Sequence, residues 1–537
     1  MGPEPGPGPR GAEWVELGGG AFLPRLGGAP GAAASARREV GRGQGAAWHR
    51  LASAAEDAAW VEGLARRAPL AGLPLLANLR CGAWYVARPG GHCHFKSTDG
   101  HYGRWDIPLA RLNLPVARLA AARGGLVIVD ATRRGKRFPD ALSKTVPLWA
   151  AVLNRVAARL CLAAPASAGP GWDLELHTPL WVPAQERAQM EEKLENLVQR
   201  ILGVGEAALR EALGGLRRPL RPLWLSQESR LCLADEDADG GRDESAVRED
   251  ALKAFTPLYL VSASRVADPH EARVPEGSRW TWDYVQGAGD DAEYWAEGLT
   301  PEDYWKNREF LLGPGPSDLS SRIAEVVASR VRGGAPGRTS AGTHRFAAEG
   351  CGDAVAELVT GDENGVYWIR GTGLGLGDCN ASATLGDDVA VVNCSLQVLS
   401  STCVEKGRIV HLPVQNFKER RGPQLSTALP AALAACRKWL GEGLRVLVVC
   451  DDGRDTSVCV AVTLLLSLFS PSTGGELRLD DAFLREPLRT ADKSRVRQVL
   501  AYVSAAYPPA QASRGMLKQV YEFFREPRGP RNPPVSA

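Results

Sequence analysis

Leu126-Val-Ile-Val-Asp130-Ala-Thr-Arg-Arg-Gly-Lys136 opens on an unbroken apolar run and closes on a basic loop. Four apolar residues in a row, three of them β-branched, predict a strand covered on both faces, as in parallel sheets. Beyond the loop, Leu142, Val146, Trp149, Leu153, Val156 and Leu160 recur at helical spacing. Pro147 inside that pattern predicts a kink or a restart. A buried strand feeding a loop and then a helix is the unit of α/β layering, and the loop then sits at the strand's carboxyl end, where such folds bind ligands.

The same order recurs later. Leu444 to Val449, interrupted only by Arg445, leads into Cys450-Asp-Asp-Gly-Arg-Asp-Thr456 and then the apolar run Ser457 to Phe469. Two α/β domains are therefore expected, which suits a chain of 537 residues. Gly313 to Ser317 (GPGPS) and Arg332 to Thr343 (RGGAPGRTSAGT) read as the linker between them. The expected organisation is a disordered extension over 1–35, a first domain over 36–311, a linker over 312–345, a second domain over 346–528 and a disordered tail over 529–537. Within the first domain, WHRLASAAEDAAWVEGLARR from Trp48 has helical spacing, and the acidic stretch Ala234 to Asp250 reads as a solvated insertion.

Composition narrows the class. Hydrophobic residues at 44% and charged residues at 23% fit a globular chain, and a formal charge of +2 sets aside a polycation without excluding a nucleic-acid partner. Eleven cysteines, an odd number with no Cys-x-x-Cys pair, argue for free thiols in a reducing compartment. The apolar run Val458 to Phe469 is too short to span a bilayer, and the N-terminal MGPEPGPGPRGAEW has no apolar export core. A cytoplasmic protein with no membrane association is the expectation.

Four loops have chemical potential. Arg133, Arg134, Lys136 and Arg137 place four cations in five residues at a strand exit, where backbone N–H groups already favour phosphate; a solvated basic turn is the alternative. Asp130 at the strand end suits a base or a metal ligand. His92 to His101 (HCHFKSTDGH) concentrates polar groups, but His92, Cys93 and His94 alternate faces on a strand and cannot share one zinc. Its Lys96 to Gly100 stretch reads as a phosphate-holding turn or a plain Asp-Gly turn. Tyr284 to Asp291 (YVQGAGDD) ends in paired carboxylates that suit Mg²⁺, or that cap the helix after Ala292. The loop Cys450 to Thr456 invites comparison with the cysteine-phosphatase loop, yet Thr456 stands at the arginine position, Arg454 is out of register, and Asp451, Asp452 and Asp455 disfavour a thiolate.

Taken in order, LLANLRCGAWYV (75–86), HFKSTDGH (94–101), VDATRRGKRFPDALSKTVP (129–147), RPLW (221–224) and YVQGAGDD (284–291) resemble the initiator-tRNA 2′-O-ribosylphosphate transferases of fungi and plants. The second domain resembles that family's dual-specificity-phosphatase-like domain. The resemblance implies a pentosyltransferase that moves ribose 5-phosphate from phosphoribosyl pyrophosphate to the 2′-hydroxyl of adenosine-64 of initiator tRNA, keeping that tRNA out of elongation. On this reading Asp290 and Asp291 hold Mg²⁺ and Asp130 is the base or a second metal ligand. Arg133, Arg134, Lys136 and Lys144 grip donor phosphates, while Lys96, Ser97, Thr98, Asp99, His101 and Thr132 complete the pocket. Cys450, Gly453 and Arg454 are candidates for a residual phosphate site. No obligate protein partner is inferred. Asp130 and Lys136 are spaced like a phosphatase's Cys and Arg, so the first domain is also expected to contain a repurposed loop of that kind. Rival readings are a non-catalytic phosphatase-like module that binds RNA or phosphate, and an atypical dual-specificity phosphatase.

Overall fold

The computed structural model describes residues 14–16, 22–24, 30–96, 105–133, 135–162, 171–229, 254–267, 272–273, 280–333, 365–382, 386, 388–399, 407–414, 424–472, 476–488 and 490–525. Five strands form the first sheet: β1 (Leu75–Asn78), β2 (Gly91–Cys93), β3 (Leu126–Asp130), β4 (Leu220–Ser226) and β5 (Thr256–Ser262). All are parallel, in the order β2-β1-β3-β5-β4, so the strand that ends in Asp130 is central. Alternation along β3 covers both faces, as its unbroken apolar run requires. Leu126 and Ile128 join the core beneath α2 (Leu114–Arg123), α3 (Val146–Arg159), α4 (Ala184–Leu202) and α5 (Glu206–Leu213). Val127 and Val129 join the opposite core beneath α1 (Pro30–Ala65) and α6 (Leu319–Gly333).

Pro147 marks a restart: a π-helical turn over Ala141–Thr145 ends and α3 begins with the proline in its first turn, where a missing N–H costs nothing. Two boundary expectations need correction. The extension expected to be disordered to residue 35 includes a ladder between Trp14–Glu16 and Phe22–Pro24, and α1 already begins at Pro30. The linker expected from 312 contains α6, whose Leu319, Ile323 and Val326, spaced as one helical stripe, are buried in the first domain's core. The Gly-Pro pairs before it punctuate the chain without ending the domain. The acidic insertion 234–250 lies outside the described residues.

The second sheet comprises β6 (Tyr367–Ile369), β7 (Leu374–Asp378), β8 (Val389–Asn393), β9 (Ile409–His411) and β10 (Arg445–Cys450), ordered β6-β7-β10-β8-β9 with only β6 antiparallel. Its main core lies under α7 (Leu425–Gly441), α8 (Thr456–Leu468), α9 (Lys493–Ala506) and α10 (Arg514–Phe523). Helix α9 also packs against α2 and α5, and its Ala501 belongs to the first domain's core, so the two domains share packed surface.

Candidate active site

Asn78, Asp130, Ser226 and Ser262 each end a strand at the same edge of the first sheet, and all four are buried. The apolar strands thus deliver a row of polar groups to one rim. Asp130 is fully enclosed there. Its Oδ1 accepts from the Cys81 thiol (3.0 Å) and the Ala131 N–H (2.9 Å), and its Oδ2 accepts from Asn78 Nδ2 (2.8 Å), with Arg80 Nε at 3.5 Å. Burial pushes the Asp130 carboxyl above its ordinary range, opposed by Arg80 and these donors. Asn78 also clasps the 93–96 segment, donating to the Phe95 carbonyl (3.0 Å) and accepting the Phe95 N–H (2.8 Å).

From this base the site is built outward by arginine–carboxylate pairs. Arg80 reaches Asp290 Oδ1 (3.2 Å) and the Ala131 carbonyl; Arg133 Nε donates to Asp290 Oδ2 (2.8 Å), and its Nη1 lies 2.8 Å from Asp291 Oδ2. Asp290 raises the pKa of Arg133, whose side chain is 65% exposed. The strand exit and the 284–291 segment, distant in sequence, therefore form one unit. Gly287 shows how tightly: at φ 65°, a Cβ there would lie 2.5 Å from the Thr132 carbonyl oxygen.

One polar face of α1 fixes the 283–289 segment from behind. His49 Nδ1 accepts the Asp283 N–H (2.9 Å), Ser53 Oγ accepts the Val285 N–H (2.9 Å), and Arg50 donates to the Ala288 carbonyl (3.0 Å). Asp57, fully buried, accepts from the Tyr284 O–H (2.7 Å), the Ser264 O–H (2.8 Å) and Gln227 Nε2 (2.9 Å), and burial raises its pKa to about 7. Ser262 Oγ, opposite Asp130 in register, and Gln286 Oε1 are among the buried side-chain atoms that have no hydrogen-bond partner among the described residues.

The expected residues divide. Asp130, Arg133, Asp290 and Asp291 are brought together. Lys136, about half-exposed, pairs weakly with Asp140 (3.5 Å) beside the same loop. Lys96 is exposed just beyond the Asn78 clasp. Ser97, Thr98, Asp99, His101 and Arg134 lie outside the described residues. Thr132 is buried, with its carbonyl packed against Gly287. Lys144 is tied to Glu186 (2.7 Å) and Asp140 (3.6 Å), which corrects its expected role as a phosphate grip. Asp130 is corrected too: with no exposed surface and both oxygens occupied, it positions its neighbours and cannot reach an acceptor or a metal. Neither aspartate caps the helix at Ala292, since Asp291 occupies the N-cap position with φ 52° and makes no capping bond. Nor does the pair fit Mg²⁺. Their oxygens already accept from Arg80 and Arg133, and a dication between them would have to displace both guanidiniums.

A family model described as the Rit1 N-terminal domain matches residues 41–328, and one described as the Rit1 DUSP-like domain matches 408–524. The chain belongs to the Rit1 family. It is 36% identical over 286 residues to an uncharacterized protein of Schizosaccharomyces pombe, covering 52% of this chain and 56% of the relative. It is 34% identical over 270 residues to a Saccharomyces cerevisiae protein named tRNA A64-2′-O-ribosylphosphate transferase, covering 48% and 50%. The alignments thus span about half the length of these relatives. Among solved structures, human DUSP28 is 19% identical, covering 30% of this chain and 92% of that one, with a TM-score of 0.21.

In this Rit1-family chain the loop of the DUSP-like domain is built differently from the first. Burial, reinforced by Asp452, pushes the Cys450 thiol up to about 12. Asp452 Oδ1 accepts the Arg454 N–H (2.9 Å), Asp451 accepts the Leu396 N–H (3.3 Å), and Asp455 accepts the Ser513 N–H (2.8 Å). One N–H of the loop itself, that of Arg454, is thus taken by Asp452, and the other two carboxylates bind N–H groups outside the loop. The carboxylates beside the Cys450 thiol count against the residual phosphate site expected at Cys450, Gly453 and Arg454, and a phosphatase thiolate is disfavoured.

Sequence reading missed Asn78, Arg80, Cys81 and Asp57. A signal existed for the first: LLAN ends an apolar run with a polar residue, as LVIVD does.

Proposed function

We propose that this chain transfers ribose 5-phosphate from phosphoribosyl pyrophosphate to the 2′-hydroxyl of adenosine-64 of initiator tRNA, so excluding that tRNA from elongation. The name of the Saccharomyces cerevisiae relative supports the reaction. The observation that carries the reading is a strand-exit rim where Arg80, Arg133 and Lys136 gather around carboxylates that hold the two arginines in place.

The acceptor oxygen forms its bond to the anomeric carbon as the bond to pyrophosphate breaks, through an oxocarbenium-like state. Arg133 and Lys136, the exposed cations, bind the donor phosphates and the departing pyrophosphate, where fixed positive charge is worth most. Asp290 and Arg80 orient Arg133, and Asp130 orients Arg80. Asp291, the more exposed carboxylate beside Arg133, takes the acceptor proton. No step is routed through Mg²⁺. The reaction belongs in the cytoplasm, in keeping with the free thiols of the described cysteines, and calls for no obligate protein partner. No described helix is long and apolar enough to cross a membrane.

Incubating the full chain with initiator tRNA and phosphoribosyl pyrophosphate should add the mass of one ribose phosphate at adenosine-64. Binding of the tRNA without an adduct would leave the RNA-binding alternative. For the metal, Asp291→Asn should lose transfer and not regain it in excess Mg²⁺; rescue would place a cation on the aspartate pair after all.

A further inference from the structure

Between α3 and α4 the chain makes a tight turn that neither the core nor the strand-exit rim accounts for. Its ends are anchored: Pro179 and Val182 are buried, and the Val182 N–H donates to the Pro179 carbonyl (3.0 Å). The two middle residues of such a four-residue turn project outward. Leu180 is fully exposed and Trp181 is 52% exposed. Scattered apolar residues on a surface need no explanation, but a large aromatic ring held in one place beside a reactive loop does.

Trp181 is held by the segment that leaves the basic loop. Its ring stacks on Phe138, with centroids 5.0 Å apart and planes 20° from parallel. Phe138 is buried, with the Arg137 guanidinium 5.7 Å from its ring centre, and Arg137 Nε donates to Ser226 Oγ (2.7 Å) at the end of β4. Just beyond the turn, buried Glu186 in the first turn of α4 pairs with Lys144 (2.7 Å). Lys144 also reaches Asp140 (3.6 Å), the partner of Lys136. Lys144 thus ties the turn to the strand exit. With one face of the indole covered by Phe138 and about half of the residue exposed, the other face looks into solvent.

Phe138 follows Lys136 by two residues, so its Cα lies within about 8 Å of that residue's. Arg133, Lys136 and Arg137 all keep at least 40% of their side chains exposed. A bare aromatic face beside a row of exposed cations matches the make-up of surfaces for single-stranded nucleic acid, where bases stack and phosphates meet positive charge. We propose that an unpaired base of the RNA substrate stacks on Trp181, a role that rests on the transferase reading. The base continues the Phe138–Trp181 stack, and its phosphates face the basic loop. Trp181 is therefore a positioning residue for the acceptor: it sets how the RNA strand approaches Arg133 and Asp291 and does not touch the donor. A protein partner fits less well, because the apolar tip is only two residues wide and is bordered by cations.

Fluorescence anisotropy of the full chain with a labelled single-stranded adenosine hexanucleotide, and with initiator tRNA, tests the stack. Trp181→Ala should weaken both by about tenfold, whereas Trp181→Tyr, which keeps a stacking ring, should stay within about twofold of the parent. The slope of log affinity against log salt should not change in Trp181→Ala, because the ring carries no charge and the cations stay in place. In the transfer assay Trp181→Ala should raise the KM for tRNA by about tenfold and leave the KM for phosphoribosyl pyrophosphate unchanged. A hexanucleotide that does not bind, equal losses from Trp181→Ala and Trp181→Tyr, or a flattened salt slope would overturn the proposal. If tRNA is modified with an unchanged KM in Trp181→Ala, the stacking role fails and the transferase stands; if both RNAs bind through Trp181 but tRNA gains no mass, the transferase reading fails instead.

Discussion

After Asp130 the chain runs Ala-Thr-Arg-Arg-Gly-Lys; after Cys450 it runs Asp-Asp-Gly-Arg-Asp-Thr. Both loops leave the central strand of a mostly parallel sheet and lead into a helix, yet their charges are inverted. The first buries an acid and surrounds it with cations, two of them braced by Asp290. The second buries a thiol and surrounds it with carboxylates, one of which takes the loop's own Arg454 N–H while another holds the Ser513 N–H ahead of α10. The geometry of a strand exit supplies donors in both domains, but the loop's own side chains decide whether those donors are open to an anionic ligand. A protein with two such folds can therefore keep one loop for chemistry and let the other serve packing.

The sharpest way to break this contrast is by substitution at both loops. Arg133→Ala and Lys136→Ala should each lower transfer by about a hundredfold or more, the scale of losing a fixed charge at a reacting centre. Cys450→Ser and Arg454→Ala should stay within about twofold of the parent. A comparable loss from Cys450→Ser would put the second loop into the reaction. The paired glycines come next. Gly287→Ala forces a Cβ against the Thr132 carbonyl and should cost at least about tenfold in activity as the aspartate pair shifts. Gly453→Ala, whose Cβ would lie 2.7 Å from the Tyr507 hydroxyl at φ 65°, should lower the melting temperature while the transfer rate per folded molecule persists.

A smaller effect concerns pH. Asp57 keeps its proton to about pH 7 when folded, whereas in the unfolded chain it ionises near its ordinary value of 3.8. The folded state binds the extra proton between those limits, so stability declines as pH rises through that window and is level above it. Asp57→Asn should flatten that slope in melting temperatures measured from pH 4 to pH 8; an unchanged slope would assign it to other groups. Smallest of all, Lys96→Ala should reduce the salt dependence of tRNA affinity by about one phosphate contact. An equal change from Arg454→Ala would mean that the second loop also touches RNA.

The legible part of the site was the part written as local runs. LVIVD followed by four cations announced a strand and a phosphate-seeking exit, and YVQGAGDD announced carboxylates on a tight turn. Their roles were not legible. Asp130 reads as a base from its position, but it lies beneath Asn78, Arg80 and Cys81, which come from another strand end about fifty residues away. The boundary at 312 failed for a similar reason: α6 follows a Gly-Pro-rich turn, and only its burial against the first core shows where it belongs.

Sequence alone determined the two α/β units, the strand that carries the site, the basic character of its exit and the acidic character of the second, because apolar period and loop charge are local properties of the chain. Tertiary structure decided which charges meet. The aspartates 290 and 291 became partners of Arg80 and Arg133, not metal ligands. Such pairings depend on parallel crossover connections that bring together residues more than a hundred positions apart, and no spacing along the chain encodes them.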